Sequence, residues 1–589
     1  MQLGEPLPPS DARPNAEIER ATVSALPWLA LARVVIEVFV FASMVVLARL
    51  MPPSAFGVFA IVIIVQELAW TLPGESIGNA LVQRKIVTRE HLQGGFAFGL
   101  LMGAAFAVLT LVAAATVVRS IFGDEAALLI ALTAPWYVLA AIAAVPAAVL
   151  RRRLDFRKMA ILDLVHALVR AATAVLFASV FALDTMALWL GSLAGVCANV
   201  LLAVAFAPPP FPRWRSRAVR DLLPYAGPSV LAAIAWTGYR NGDYAIVGAR
   251  LGTAAAGLYW RGYQLGVEYQ RKVSGVMSQV LFPMLARATN AGELSALRER
   301  MARLDTVVVF PLLAMLIVVA PVVIPWVFGP EWKEAVVPAQ VLAVGGAAMV
   351  MTDVAGSVLK AVGRSTALLN WSIAHFVVYG AAVLVASNYG LTAVCVVAGA
   401  AHVVFAVMGY AMLVEWHVGR ALRLFWNDAR AATVSCVPLL ACAWPAFRLL
   451  GDEGVPVVPR LAVVVSVGVL AYAASLRLWF PAAYRDLAAL VRRVVPTARL
   501  MARVRRSGRF GGEVSSWEVD DGPGAAEVGG GDERVGGVEA EAAVAVEADA
   551  AVEAIEAAVG ESELGRGEDP GAVAADRARE PDERAQARA

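Results

Sequence analysis

Arg33 and Glu37 lie four residues apart in an otherwise apolar stretch of chain, 26–50, and they are the first of several charges in such settings. Glu67 sits midway along the apolar stretch 55–74. Asp163, His166 and Arg170, spaced three and four apart, draw one polar stripe along 159–181. Arg240 and Asp243 fall in 223–248, Glu268, Arg271 and Lys272 share a face of 257–284, and Asp353 is in 335–359. A charged side chain at the centre of a bilayer costs about 2.5 to 3.5 kcal/mol on insertion scales, so such residues are expected to face a bundle interior, a partner or a wet cavity. Guanidinium groups offer forked donors that match phosphate oxygens, and an ammonium adds a compact charge. Arg33, Arg170, Arg240, Arg271 and Lys272 are therefore candidates for a phosphate clamp. Carboxylates in a low-dielectric cavity can carry a coupling proton or a cation such as sodium, which makes Glu37, Glu67, Asp163, Asp243, Glu268 and Asp353, with His166, candidates for that task. A structural reading stands beside this one: neighbouring acids and bases, Arg33/Glu37 and Arg240/Asp243 above all, neutralise one another as glue between helices. His375 and His402 read as packing residues, and Arg49 and Arg250, at the ends of apolar stretches, as snorkelling side chains.

The elements that must position these charges are long and apolar. Of the 589 residues 59% are hydrophobic, and the mean hydropathy is +0.67, well above a soluble domain. A bilayer-spanning helix needs about 20 mostly apolar residues. Fourteen segments qualify, at 26–50, 55–74, 93–118, 126–149, 159–181, 184–206, 223–248, 257–284, 304–328, 335–359, 366–387, 390–414, 431–450 and 457–480. Basic residues fall in alternate connections, among them Arg84, Lys85 and Arg89, then Arg151 to Arg153, then Arg213, Arg215 and Arg217, then Arg298, Arg300 and Arg303. That side collects about 23 Lys/Arg against about 6 on the other, which places both termini in the cytoplasm by the positive-inside rule. The expected fold is an all-α polytopic membrane protein, with no folded domain outside the membrane.

Charge divides the chain further. Residues 511–589 carry about 21 Asp/Glu against about 6 Lys/Arg, leaving the first 510 at about +17, so the formal net charge of +2 is a cancellation. That acidic tail is expected to be disordered, and the basic segment 481–510 to lie on anionic headgroups. The cysteines Cys197, Cys395, Cys436 and Cys442 all sit in apolar stretches without CxxC spacing, and the five histidines form no metal-ligand pattern. No metal site and no nucleic-acid partner is expected. Residues 1–25 are polar and lack the pattern of a cleavable signal peptide.

One phrase occurs twice. Ala48-Arg49-Leu50 leads through a short linker to Gly57-Val58-Phe59, and Ala249-Arg250-Leu251 leads through a similar one to Gly257-Leu258-Tyr259. In both places an apolar segment ends in the phrase and another begins at its glycine. The echo points to two related lobes, the construction of transporters that bind cargo where the lobes meet. The expected layout is an N-terminal tail (1–25), an N-lobe of six spans (26–206), a basic loop (207–222), a C-lobe of six spans (223–415) and two further spans (416–480).

Gly78-Asn79-Ala80-Leu81-Val82-Gln83-Arg84-Lys85 resembles the loop after the second helix of bacterial polysaccharide flippases, as does Arg151-Arg152-Arg153-Leu154-Asp155-Phe156 after the fourth. Asp243 to Gly248, Gly257-Leu258-Tyr259 and Val280-Leu281-Phe282-Pro283 resemble that family's central signature. The chain is thus similar to the polysaccharide exporter branch (Wzx-type) of the multidrug/oligosaccharidyl-lipid/polysaccharide superfamily. The resemblance implies twelve core helices in two lobes, two more at the C-terminus, and a cargo of sugars on a polyprenyl diphosphate. It also implies residence in the bacterial inner membrane, contact with membrane lipid, and service to a polysaccharide polymerase and chain-length machinery. Glu268-Tyr269-Gln270-Arg271-Lys272 departs from it, being less apolar than the family's pattern.

The expected activity is translocation of lipid-linked oligosaccharide for exopolysaccharide, O-antigen or capsule (lipopolysaccharide) synthesis, by alternating access and without enzymatic chemistry. No GxxxxGK[ST] loop is present to bind a nucleotide. A lipid II flippase or a multidrug exporter of the same superfamily is the alternative, the basic excess speaking against cationic drugs. A membrane glycosyltransferase or polymerase is a remote one, because the outward connections are short.

Overall fold

The computed structural model describes the backbone of residues 15–489 except 85 and 286. The acidic tail 511–589, most of 481–510 and part of the N-terminal tail 1–25 lie outside the described residues, as do the side chains of the motif at 280–283. Among those described, no β-strand forms. Lipid offers the backbone no hydrogen-bond partner, so a chain this apolar satisfies its own amides within helices.

A first set of helices comprises α1 (Asn15–Leu50), α2 (Pro53–Pro73), α3 (Asn79–Gln83), α4 (Arg89–Ala113), α5 (Arg119–Thr133), α6 (Trp136–Arg152), α7 (Phe156–Val180) and α8 (Thr185–Phe206). A second comprises α9 (Ser216–Leu251), α10 (Thr253–Tyr263), α11 (Tyr269–Leu285), α12 (Ala291–Phe328), α13 (Val336–Ala361), α14 (Ser365–Ala386) and α15 (Leu391–Leu413). The last pair, α16 (Val418–Asp452) and α17 (Val457–Trp479), form a hairpin that packs on α12. Outward faces such as Leu101, Val108 and Leu109 of α4 and Val463 and Leu470 of α17 stay apolar and uncovered, as surfaces bathed in lipid must.

By length and composition ten helical stretches among the described residues are able to cross a membrane. One of them, Arg89–Arg152, holds two of the predicted segments, while the helices α1, α9 and α10–α11 fall outside the ten. All three contain the charges noted above. Several helices also extend into predicted connections: α12 starts at Ala291, so Arg298 and Arg303 are helical rather than loop residues. There they anchor the last pair. Arg298 pairs with Asp428 of α16 in the interior, Tyr410 Oη donates to the same carboxylate at 2.8 Å, and Arg303 Nε donates to Asp486 at 3.0 Å.

The two sets meet most tightly where the repeated phrase begins its second helix. A Cβ on Gly57 would overlap the carbonyl of Thr253, and a Cβ on Gly257 would overlap the carbonyl of Pro53. The contact is reciprocal, with α2 and α10 lying backbone to backbone as small residues allow. Beside it Arg261, fully buried, sits over the rings of Trp332 (4.6 Å), Phe328 (4.7 Å), Phe56 (5.0 Å) and Trp260 (5.6 Å). Trp332 Nε1 donates to the Ala48 carbonyl at 2.9 Å. Arg49, exposed at the end of α1, donates to the carbonyls of Val327 and Trp326, capping the end of α12. This end of the molecule is closed by aromatic and backbone packing.

Candidate substrate cavity

Beyond that junction the two sets separate around a cavity of about 1030 Å³, at the upper end of the range for ligand sites. It runs from Ile63, six residues past Gly57, to Lys360 beside the α13–α14 turn. Its walls come from α2, α6, α7 and α8 on one side and from α9, α11, α13 and α14 on the other.

Four bases line it, Arg170, Arg240, Arg271 and Lys360, against two acids, Glu67 and Asp353. Arg170 is placed by close packing of α7 on α8, where Gly195 leaves room: a Cβ there would stand 2.9 Å from the Arg170 Cβ. Arg271 owes its position to a π-helical turn, Gln264–Glu268, that separates α10 from α11 and shifts the register of α11. Across the cavity wall runs a chain of charges. Arg240 lies 3.9 Å from Glu67 of the first set and donates to Glu268 at 3.1 Å, and Asn241 donates to Glu67 at 2.7 Å. Arg271 donates to the other oxygen of Glu268 at 2.8 Å and to Tyr263 Oη at 3.3 Å. Two guanidinium groups thus share one carboxylate. An incoming dianion can compete for them, because a guanidinium carries five N–H donors in a fork that matches phosphate oxygens.

The predicted site residues divide. Arg170, Arg240 and Arg271 of the clamp line the cavity, as do Glu67, His166 and Asp353 of the coupling candidates. Arg33 and Lys272 are not among the lining residues. Arg33 pairs with Glu37 at 3.5 Å with most of its side chain exposed, and Lys272 donates to the same Glu37 at 2.6 Å, joining α1 to α11. Lys272 therefore does not share the face of Glu268 and Arg271; consecutive helical residues point about 100° apart, and Glu37 takes it. Asp163 is exposed and outside the cavity wall, so the stripe expected along α7 reaches the cavity only through His166 and Arg170.

Arg240 and Asp243, three apart, do not pair. Asp243 is buried and accepts from Tyr259 Oη and Tyr379 Oη, each at 2.8 Å, and from the Tyr244 amide at 2.9 Å. Those hydroxyls come from α10 and α14, which sequence spacing could not disclose. His375 and His402 do pack as expected, with His375 stacked on Phe405 at 3.7 Å and His402 on Tyr379 at 5.3 Å, though His375 also reaches the cavity. Sequence reasoning passed over Lys360, at the end of an apolar stretch, and over the neutral wall residues Gln66, Trp70, Trp136 and Ser192, which look like ordinary members of apolar helices. It also missed Asp305 on α12, fully buried with neither carboxylate oxygen hydrogen-bonded among the described residues. The described residues hold no cluster able to bind a metal ion.

A polytopic helical body with a charged cavity between two halves defines a membrane protein of the transporter type. The solved structure of a lipid II flippase, MurJ in an inward closed conformation, has the same fold, with a TM-score of 0.61 over 78% of this chain and 99% of its own at 11% identity. Residues 46–337 match the family described as polysaccharide biosynthesis protein. The lipopolysaccharide biosynthesis protein WzxC of Escherichia coli is 27% identical over 366 residues, 59% of this chain and 71% of its own. The teichuronic acid biosynthesis protein TuaB of Bacillus subtilis is 26% identical over 326 residues, 53% of this chain and 65% of its own.

Proposed function

We propose that this protein is a flippase that carries a polyprenyl-diphosphate-linked oligosaccharide across the bacterial inner membrane for surface polysaccharide synthesis. The observation that carries the reading is the cavity between the halves, lined by Arg170, Arg240 and Arg271 and sealed at one end by the Gly57–Gly257 junction. The names of WzxC and TuaB, both polysaccharide biosynthesis proteins, support the same substrate class. A lipid diphosphate cannot enter hydrocarbon without paired charges, and guanidinium groups already sharing a carboxylate are ready to receive it. The sugars occupy the cavity while the polyprenyl chain stays in lipid. With basic connections inside, the α1–α2 and α9–α10 turns face out, so the sealed end is the outer one and both termini are cytoplasmic.

The working cycle is alternating access. Closing the inner end around the cargo and parting the junction would present the sugars outside. The protein does this without enzymatic chemistry of its own; proton or sodium entry supplies the drive, with Glu67 and Asp353 in the cavity and Asp243 behind it as its sites. The N-lobe (26–206), C-lobe (223–415) and accessory pair (416–480) are the units that move or stand. A polymerase and its chain-length machinery receive the product.

The test is deletion of the gene in a strain with no second transporter. Lipid-linked oligosaccharide should collect in the inner leaflet and external polymer should disappear. Normal polymer with no stranded intermediate would refute the reading.

A further inference from the structure

The proposed cycle gives Arg261 no task. It lies one helical turn past Gly257 and ten residues, about 15 Å at helical rise, before Arg271 on the same run of helix. On the facing helix its ring partner Phe56 precedes Ile63, where the cavity begins, by seven residues. The guanidinium therefore sits inside the plug between the cavity and the sealed end, and it is wholly covered there. Nη1 donates to Gln264 Oε1, a neutral acceptor, at 3.3 Å, while Nε and Nη2 have no partner among the described residues. Glu331 and Glu334, the acids beside its ring partner Trp332, are exposed. The rings of Phe56, Trp260, Phe328 and Trp332 compensate the positive charge but offer no lone pair to its N–H groups. Covering a cation without an acid is unfavourable, and an apolar side chain of similar size would fill the same space without that cost. Packing does not explain an arginine here.

The covering comes from both halves. Trp260, Phe328 and Trp332 belong to the second set of helices and their connections, whereas Phe56 belongs to the first and stands edge to face with Trp332 at 5.2 Å. Trp332 is also tied to the Ala48 carbonyl of the first set. Parting the junction draws Phe56 and Ala48 away from Arg261 and opens its cage on the side that cargo must pass. Resting on the flippase reading, we infer that Arg261 is a second binding site for the cargo's diphosphate, covered in this state and uncovered when the junction parts. Its unmatched N–H groups then meet phosphate oxygens, which a guanidinium grips as a forked pair. A diphosphate leaving Arg240 and Arg271 finds one more guanidinium before the outer surface, so its charge is never left unpaired in the apolar plug. An occupied Arg261 cannot return to its cage. The junction therefore reseals only after cargo has left.

The arginine reagent phenylglyoxal, read peptide by peptide by mass spectrometry, follows all three groups in full-length protein in phosphatidylcholine nanodiscs. In the unsubstituted protein Arg240 and Arg271 should react and Arg261 should not, and undecaprenyl diphosphate should protect the first two. In Gly57→Val with Gly257→Val, which holds the junction apart, Arg261 should react, and undecaprenyl diphosphate should slow its labelling about tenfold. Inorganic pyrophosphate should protect it at higher concentration, and phosphatidylglycerol should not. If Arg261 stays unreactive in the parted protein, reacts without protection, or is protected equally by phosphatidylglycerol, the second site is wrong while the flippase reading stands. If undecaprenyl diphosphate protects none of the three arginines, the flippase reading falls and takes the second site with it. Where the valine pair fails to fold or to part, Arg261→Met decides. Export should fall about tenfold or more with Tm unchanged or raised, and Arg261→Lys should recover part of the loss. Normal export by Arg261→Met, or a loss that follows a fall in Tm, would overturn the site.

Discussion

The two halves of this protein touch in two ways. At the junction α2 and α10 meet backbone to backbone through Gly57 and Gly257, and aromatic rings enclose Arg261 beside them. A dozen residues further along the same helix, Glu67 and Trp70 line the cavity, and the second half reaches across through Arg240 and Asn241 at Glu67 and through Val230 and Ala233 of α9, which pack beside Ala69 and Leu72. One region is closed by shape, the other bridged by charge and by one face of α9. Dispersion contacts at the junction need close fit and vanish with small separations. Ion pairs across a wet cavity exchange partners at little cost. A pair of bodies joined in this manner is held at one end and reconfigurable at the other.

Substitutions should expose that difference in order of size. Gly57→Val with Gly257→Val puts branched side chains where carbonyls already lie. Export should be abolished while the protein still inserts, and a cysteine at Ala55 should become reactive to an external maleimide. An unreactive cysteine and normal export would show that the junction is not a seal. Arg298→Ala provides a scale from a static contact away from both regions. It strands Asp428, and losing one partner of a buried pair costs about 3–5 kcal/mol, read as a fall in Tm; Arg298→Lys should recover part of it. Arg271→Ala should lower export about ten- to a hundredfold with little change in Tm, because Glu268 keeps Arg240. A large fall in Tm instead would make Arg271 a structural residue. Lys272→Ala, which only unties Glu37, should reduce export a few-fold at most, separating it from its neighbour. Asp221→Asn, which breaks exposed contacts to Arg84 and His91 at 2.9 and 3.4 Å, should leave Tm and export unchanged within error.

The sequence carried the helices because lipid demands long apolar runs, and it carried the echo because both halves use the same turn. Local pairs were legible too. Arg33 with Glu37 and Glu268 with Arg271 meet at spacings that a helix dictates. Pairs between helices were not. Lys272 reaches back 235 residues to Glu37, and Asn241 reaches 174 to Glu67, distances at which spacing holds no information. The same limit misdirected Asp243, whose tyrosine donors come from two other helices. Trp70 and Trp136 were hidden for another reason: in an apolar helix a tryptophan facing a cavity and one facing lipid have the same neighbours in the chain.

Whether the halves part at the cavity and the junction in alternation can be read from two distances in one protein. Spin labels at Pro52→Cys and Ala254→Cys report the junction, and labels at Gln83→Cys and Ala361→Cys report the opposite end. During turnover with lipid-linked oligosaccharide the first distance should lengthen in the same population in which the second shortens. If both distances stay fixed, or lengthen together, the halves do not alternate and the proposed cycle is wrong.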